Sequence, residues 1–251
     1  MTPARSSAIP NGAVNSRRAV STLLALALSV LGPGTSAAAP KVDALVDAVV
    51  DAYGGKAALA RVRGYRMEGS VSSVMRGTGP LVRTFARPDR LRTVLDYPGH
   101  RETRILDGAR GWRSDPGGAM LAVDSFLLSS MTLQAARANL PWLLDERRDT
   151  LVALPPMDGG KTQGLEIALG PGLALTVYVE TATGRIVRSS AVLATPALKT
   201  NFATDYGDFR SVDGVLFPFR ESNFASNQST GETVITTVVV NPPLTDADFK
   251  P

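Results

Sequence analysis

The chain has 251 residues, no cysteine, one histidine and a formal net charge of +4 at pH 7. The lack of cysteine excludes disulfides and thiolate chemistry. With 27 basic against 23 acidic residues, the charge is too balanced for a nucleic-acid-binding protein, and the length suits one domain with a sizeable core.

The first 38 residues predict an export signal. Arg17 and Arg18 precede an apolar run, residues 19–31, and small residues follow at positions 35–39. The run is about 13 residues long, whereas a helix that spans a bilayer needs about 20. We expect residues 1–38 to be removed and the mature protein to lie in the periplasm, with the Sec route favoured over the twin-arginine route.

The next segments predict two helices and then a series of strands. Apolar residues from Val42 to Tyr53 recur at helical spacing, and a Gly-Gly pair follows them. A second short helix is predicted over residues 57–62. From Tyr65 the apolar period changes to two, which is typical of strands. Further strand-like runs are residues 81–85, 91–95, 102–106 and 111–113, with a tight turn at Asp107-Gly108.

Residues 119–144 predict one or two apolar helices with a break near Pro141. Their only charged residues before position 145 are Asp124 and Arg137. This apolar content exceeds what one buried helix face needs. Two interpretations stay open: ordinary core helices, or a lid that packs over an apolar cavity.

A second series of strands runs from Thr150 to residue 240. Turns are predicted at Thr183-Gly184 and Asp213-Gly214, and residues 233–240 form a β-branched strand. Sequential hairpins form antiparallel sheets, and helices must bury their apolar faces against such a sheet. The order of elements therefore predicts an α+β fold that is mainly antiparallel β.

Positive charge is concentrated in the first half of the mature chain. Residues 61–113 contain 12 arginines against five acidic residues, whereas the chain from position 151 has seven basic and ten acidic residues. Either this half forms a solvated outer sheet face, or it meets anionic lipid headgroups or an acidic partner.

No pattern in the sequence predicts catalysis. His100 lies in a turn, and Gly160-Lys161-Thr162 resembles the end of a phosphate loop but lacks its first glycine. Asp205 and Asp208 have no third metal-ligating residue beside them in sequence, which favours a structural role. Catalysts need positioned titratable groups, so we expect no enzyme activity, no metal site and no cofactor.

Four segments together resemble the LolA/LolB-like superfamily. They are residues 52–69, 107–112, 205–219 and 240–249. The resemblance is stronger to the broad group of envelope proteins named after lipoprotein-sorting factors than to the true lipoprotein carriers. It implies a single domain over residues 39–251: a curved, incomplete β-barrel with helices covering its concave face. It further implies a periplasmic carrier that moves lipid or lipoprotein acyl chains between envelope membranes.

The expected cargo site is the space between this sheet and the helical lid. The large apolar residues predicted to line it are Met67, Trp112, Phe126, Leu127, Met131, Leu140 and Trp142. The cargo is a lipoprotein, a phospholipid, a hopanoid or another lipid, and we expect a monomer. The alternative is a periplasmic sensor or interaction module of the same fold, which binds an envelope membrane protein instead of a lipid.

Overall fold

The computed structural model describes residues 42–194 and 199–251. The predicted export signal lies outside these residues. The helices are α1 (Val42–Ala52), α2 (Gly55–Arg61), α3 (Ser125–Ala138) and α4 (Leu140–Glu146). The strands are β1 (Gly64–Ser73), β2 (Gly77–Ala86), β3 (Arg90–Tyr97), β4 (His100–Asp107), β5 (Arg110–Ser114), β6 (Met120–Ala122), β7 (Val152–Ala153), β8 (Thr162–Gly170), β9 (Leu173–Glu180), β10 (Ile186–Ala194), β11 (Lys199–Val212), β12 (Val215–Ala225) and β13 (Gln228–Val240).

The strands form one antiparallel sheet in the order β6-β5-β4-β3-β2-β1-β13-β12-β11-β10-β9-β8-β7. Strands β1–β6 and strands β7–β13 each pair in sequence order, and β1 joins these two halves by pairing with β13. In the described part of the chain β6 and β7 are the free edges, so the sheet does not close into a barrel. The predicted mainly antiparallel α+β fold, a curved and incomplete barrel with helices, is confirmed.

Helix α1 buries the apolar stripe that the sequence predicts, namely Leu45, Val46, Val49 and Val50. The turn that follows α1 contains Gly54, whose φ of 115° is in the left-handed region. A side chain there would place its Cβ 2.0 Å from the carbonyl oxygen of Gly214. Glycine is therefore required where α1 meets the β11–β12 turn.

The apolar segment between the two strand series differs from its predicted form at its start. Residues 120–122 form the short strand β6, which pairs with β5, whereas we predicted helix from residue 119. Helix α3 begins only after Asp124, whose carboxylate accepts a hydrogen bond from the Leu127 N–H at 2.8 Å. The predicted break lies at Asn139, directly before α4, which carries Pro141 in its first turn.

One face of the sheet and the helices enclose the main core. The alternation on β3 is clear: Leu91, Thr93, Leu95 and Tyr97 are buried, while the residues between them are partly exposed. Because side chains alternate across a strand, this pattern assigns one face of β3 to the interior. Every helix in the described ranges is too short or too polar to span a bilayer.

Candidate ligand cavity

A cavity of about 470 Å³ lies between the inner face of the sheet and helices α3 and α4. Strands β1–β4 line one wall and β10–β13 line the other, and the C-terminal half of α3 covers them. Strands from both halves of one sheet meet around this single space, so the sheet is curved and the cavity occupies its concave side. Ligand sites in proteins commonly have about 300–1,000 Å³.

The inner part of the cavity is apolar and aromatic. Three of the seven residues predicted to line a cargo site do line this cavity: Met67 on β1, and Leu140 and Trp142 on α4. The Trp142 indole N–H donates to the Leu59 carbonyl oxygen at 2.9 Å, which fixes the ring. Other large apolar lining residues are Tyr53, Tyr65, Leu81, Leu95, Leu133, Ile186, Leu216 and Phe217.

The other four predicted residues lie outside the lining. Trp112 faces away from the cavity because its strand neighbour Gly111 faces inward, and its ring packs in a small cluster with Phe249 on the opposite face. Met131 is buried against Gly111, with its sulfur 3.4 Å from the position of a Cβ there. Leu127 packs on the main core, and Phe126 is 42% exposed. A contact between these four side chains and a ligand stays a prediction.

A buried ion pair crosses the middle of the cavity. The Arg83 guanidinium on β2 donates two hydrogen bonds to the Glu221 carboxylate on β12, at 2.6 and 2.9 Å. Burial acts to raise the pKa of Glu221, but the Arg83 charge and its hydrogen bonds outweigh burial and lower the pKa. Both groups are therefore charged at neutral pH.

Helix α3 is tied to both walls by hydrogen bonds. On one side Arg137 donates to the Ser189 hydroxyl on β10 at 3.2 Å and to the Phe202 carbonyl oxygen on β11 at 3.3 Å. On the other side the Tyr65 hydroxyl on β1 donates to the carbonyl oxygen of Ala138 at 2.7 Å. These bonds position the last turn of α3 over the cavity.

The cavity opens at the β1–β2 turn, where the lining residues Arg76 and Thr230 are exposed. Arg76 and Arg104 both contact the carboxylate of Glu102, whose side chain is only 2% exposed. His100 lies 3.3 Å from the same carboxylate. Burial acts to raise the pKa of Glu102, and these basic neighbours outweigh it and lower the pKa to about 2.

The polar residues of the cavity are absent from the set predicted from the sequence. A usable signal existed, because Leu81, Arg83 and Phe85 share one face of β2, and Phe219 and Glu221 share one face of β12. A charge that continues an apolar stripe needs a buried partner of opposite sign. Asp205 and Asp208, by contrast, form ion pairs with Arg188 and Arg210.

The lining can bind an amphiphile by burial and hydrogen bonding. No histidine, lysine or cysteine is among the lining residues that the structure describes. The described ranges also contain no group of three or more histidine and carboxylate side chains placed to hold a metal ion. The chemistry of this site is therefore that of apolar surface with a few fixed charges.

The sequence matches no protein-family model and no curated protein. It does resemble solved structures. A LolA superfamily protein from Nitrosomonas europaea matches with a TM-score of 0.55 and 9% identity, over 85% of this chain and 99% of that one. A DUF1329 family protein from Desulfovibrio piger matches with a TM-score of 0.52 and 13% identity, over 84% and 97%.

A domain assigned as an outer membrane lipoprotein-sorting protein, from Vibrio parahaemolyticus, matches with a TM-score of 0.51 and 11% identity. That alignment covers 83% of this chain and 97% of the other. At sequence identities this low, structural similarity establishes a shared architecture and does not establish a shared activity. The three structures nevertheless agree on the fold that the sequence motifs predicted, and the chain has a LolA-like fold.

Proposed function

We propose that this protein is a periplasmic carrier that holds a lipid, or the acyl chains of a lipoprotein, in its concave cavity for transfer between envelope membranes. The observation that carries the proposal is the cavity of about 470 Å³ beneath α3 and α4, with its apolar inner part. Met67, Leu140 and Trp142 are the predicted cargo-site residues that we propose to contact the cargo directly.

The energetics fit such a role. Keeping one CH₂ group in water costs about 0.8 kcal/mol, so a 16-carbon chain needs on the order of 10 kcal/mol of shelter. Burial against the apolar part of the lining contributes to this shelter, and no covalent step is required. We therefore propose a binding protein and not an enzyme, which agrees with a fold shared with lipoprotein-sorting proteins.

Helix α3 is the part of the structure that we propose to move when cargo enters or leaves. Its C-terminal half covers the cavity through Leu133, Gln134 and Arg137, and a few hydrogen bonds tie it to the walls. An intramolecular hydrogen bond contributes only about 0.5–1.5 kcal/mol net. A few such bonds are weak enough for a membrane or a partner protein to displace them.

Filling the cavity tests this proposal. Leu95 faces inward on β3 and lines the cavity, so Leu95→Trp adds bulk where the acyl chain would lie. We expect this variant to retain less lipid than the wild type by about tenfold or more, since overpacking costs about 1–3 kcal/mol. Bound lipid is measured by solvent extraction and quantification per mole of protein.

Val94→Trp is the matched control, because Val94 is adjacent on the same strand and faces the opposite side of the sheet. It should retain lipid at the wild-type level. If Leu95→Trp and Val94→Trp retain the same amount of lipid, the cargo binds outside the cavity that Leu95 lines. A protein that binds no lipid but forms a stable complex with a periplasmic segment of a membrane protein would support the sensor interpretation instead.

A further inference from the structure

The cavity lining carries more positive than negative charge. Four arginines line it, Arg76, Arg83, Arg104 and Arg137, whereas Glu221 is the single acidic residue among the described lining residues. Glu102 lies just behind the lining and contacts two of these arginines. Two carboxylates therefore face four guanidinium groups, which leaves an excess positive charge of about two.

The excess is not spread evenly over the four arginines. Arg83 is neutralised by its two hydrogen bonds with Glu221. Arg104 and Arg76 share one carboxylate, that of Glu102, and His100 contacts it as well. One negative charge cannot compensate two guanidinium groups, so part of the excess lies at the cavity mouth.

Arg137 accounts for the rest of the excess. Its guanidinium is hydrogen-bonded to two neutral acceptors, the Ser189 hydroxyl and the Phe202 carbonyl oxygen. None of the ion pairs within the described residues includes it. Its charge helps to lower the pKa of the nearby Glu221, but that carboxylate is already paired with Arg83. A guanidinium that must share its counter-charge at the edge of an apolar site is costly, and an anion bound there relieves the cost.

The two sites of excess charge lie on opposite walls of one cavity. Arg76 is in the β1–β2 turn, and the Arg137 side chain reaches β10 and β11. The apolar inner part, with Tyr65 and Phe217, is adjacent to both. An acyl chain in the inner part would thus leave its polar end among guanidinium groups, which bind phosphate and carboxylate well.

We propose that the cargo is an anionic amphiphile, whose phosphate or carboxylate group is stabilised by the excess positive charge of the cavity, to which Arg76 and Arg137 contribute. This inference rests on the proposed carrier function and specifies its cargo class. It separates an anionic lipid from neutral lipids such as a diacylglycerol or an uncharged polycyclic lipid. A lipid headgroup and free phosphate present the same anionic group, so the test must also distinguish binding of the lipid from binding of free phosphate.

The test uses three lipids with the same acyl chains and different headgroups. They are dioleoylphosphatidylglycerol, dioleoylphosphatidylcholine and dioleoylglycerol, each offered to the purified protein from vesicles or cyclodextrin. We expect the anionic lipid to bind about tenfold or more tightly than dioleoylglycerol, as charge-assisted hydrogen bonds would give. Dioleoylphosphatidylcholine, which has the phosphate but no net charge, should bind with an affinity between these two. Inorganic phosphate, added in excess, should not displace it, because phosphate lacks the acyl chain.

Substitutions of Arg76 and Arg137 test whether these two arginines cause the preference for the anionic lipid. Arg76→Gln and Arg137→Gln should each lower the ratio of anionic to neutral lipid bound, and circular dichroism checks independently that the variants fold. Arg137→Lys should retain the preference because it retains the charge. Arg101→Gln is the control, because this side chain is 69% exposed and lies outside the lining of the cavity.

The outcomes distinguish the two proposals. Equal binding of the three lipids, or an unchanged preference in both Gln variants, would overturn the inference and leave the carrier function standing. Displacement by phosphate at the concentration of the lipid would mean that the anion alone is recognised, and would also overturn it. A protein that takes up none of the three lipids would refute the carrier function together with the inference.

Discussion

The buried pair of Arg83 and Glu221 offers the sharpest test of how the cavity walls are held together. The two side chains are only 19% and 11% exposed and share two hydrogen bonds across the concave side. Glu221→Leu removes the carboxylate and leaves a buried guanidinium without a counter-charge. Arg83→Met leaves the buried Glu221 carboxylate without its paired guanidinium.

Removing one partner of a buried pair costs about 3–5 kcal/mol. This pair faces a cavity that water can enter, so we expect the lower end, about 3 kcal/mol for either single variant. Replacing both partners by apolar residues of similar size is often close to neutral. The double variant Arg83→Met/Glu221→Leu should therefore lie within about 1 kcal/mol of the wild type.

Urea unfolding is monitored by circular dichroism for the wild type, the two single variants and the double variant. The four free energies of unfolding complete a double-mutant cycle. The reasoning holds if the double variant is more stable than either single variant. A double variant that loses about 6 kcal/mol, as independent sites would, refutes it and means that the two charges do not compensate each other.

Three further predictions concern stability. Trp142→Ala removes a buried ring and its hydrogen bond to Leu59, and should cost about 3–5 kcal/mol of unfolding free energy in denaturant melts. Asp124→Ala removes the N-cap of α3 and should cost about 1 kcal/mol, with the loss of α3 protection visible in amide hydrogen exchange. Glu102 has its pKa lowered from 4.5 to about 2, so its stabilisation is present above pH 4.5 and is lost as the pH falls toward 2. The difference in melting temperature between wild type and Glu102→Gln should accordingly narrow over this range, and a constant difference would contradict the assignment.

The sequence predicted the elements well because their periodicity is local. The helical spacing around Val49 and the turns at Asp107-Gly108 and Asp213-Gly214 each depend on a few adjacent residues, and the structure has all of them. The short strand β6 was missed, since three residues do not establish a period, and its pairing with β5 is a tertiary contact.

The cavity residues were harder to predict because they depend on strand direction and register. Trp112 was expected to face inward, and the inward position on β5 is taken by the adjacent Gly111 instead. A shift of one residue exchanges the two faces of a strand. Each of Arg83 and Glu221 continues a local apolar stripe, which indicates that both are buried, but the two lie 138 positions apart in the chain, so the local pattern does not identify them as partners.

The central claim, that this protein carries a lipid, is tested most directly by native mass spectrometry of the protein purified from a bacterial periplasm, followed by solvent extraction. We expect a discrete added mass that extracts as lipid and that is smaller or absent in Leu95→Trp. A protein that has only its own mass, and that takes up no lipid from vesicles of anionic or neutral composition, would contradict it.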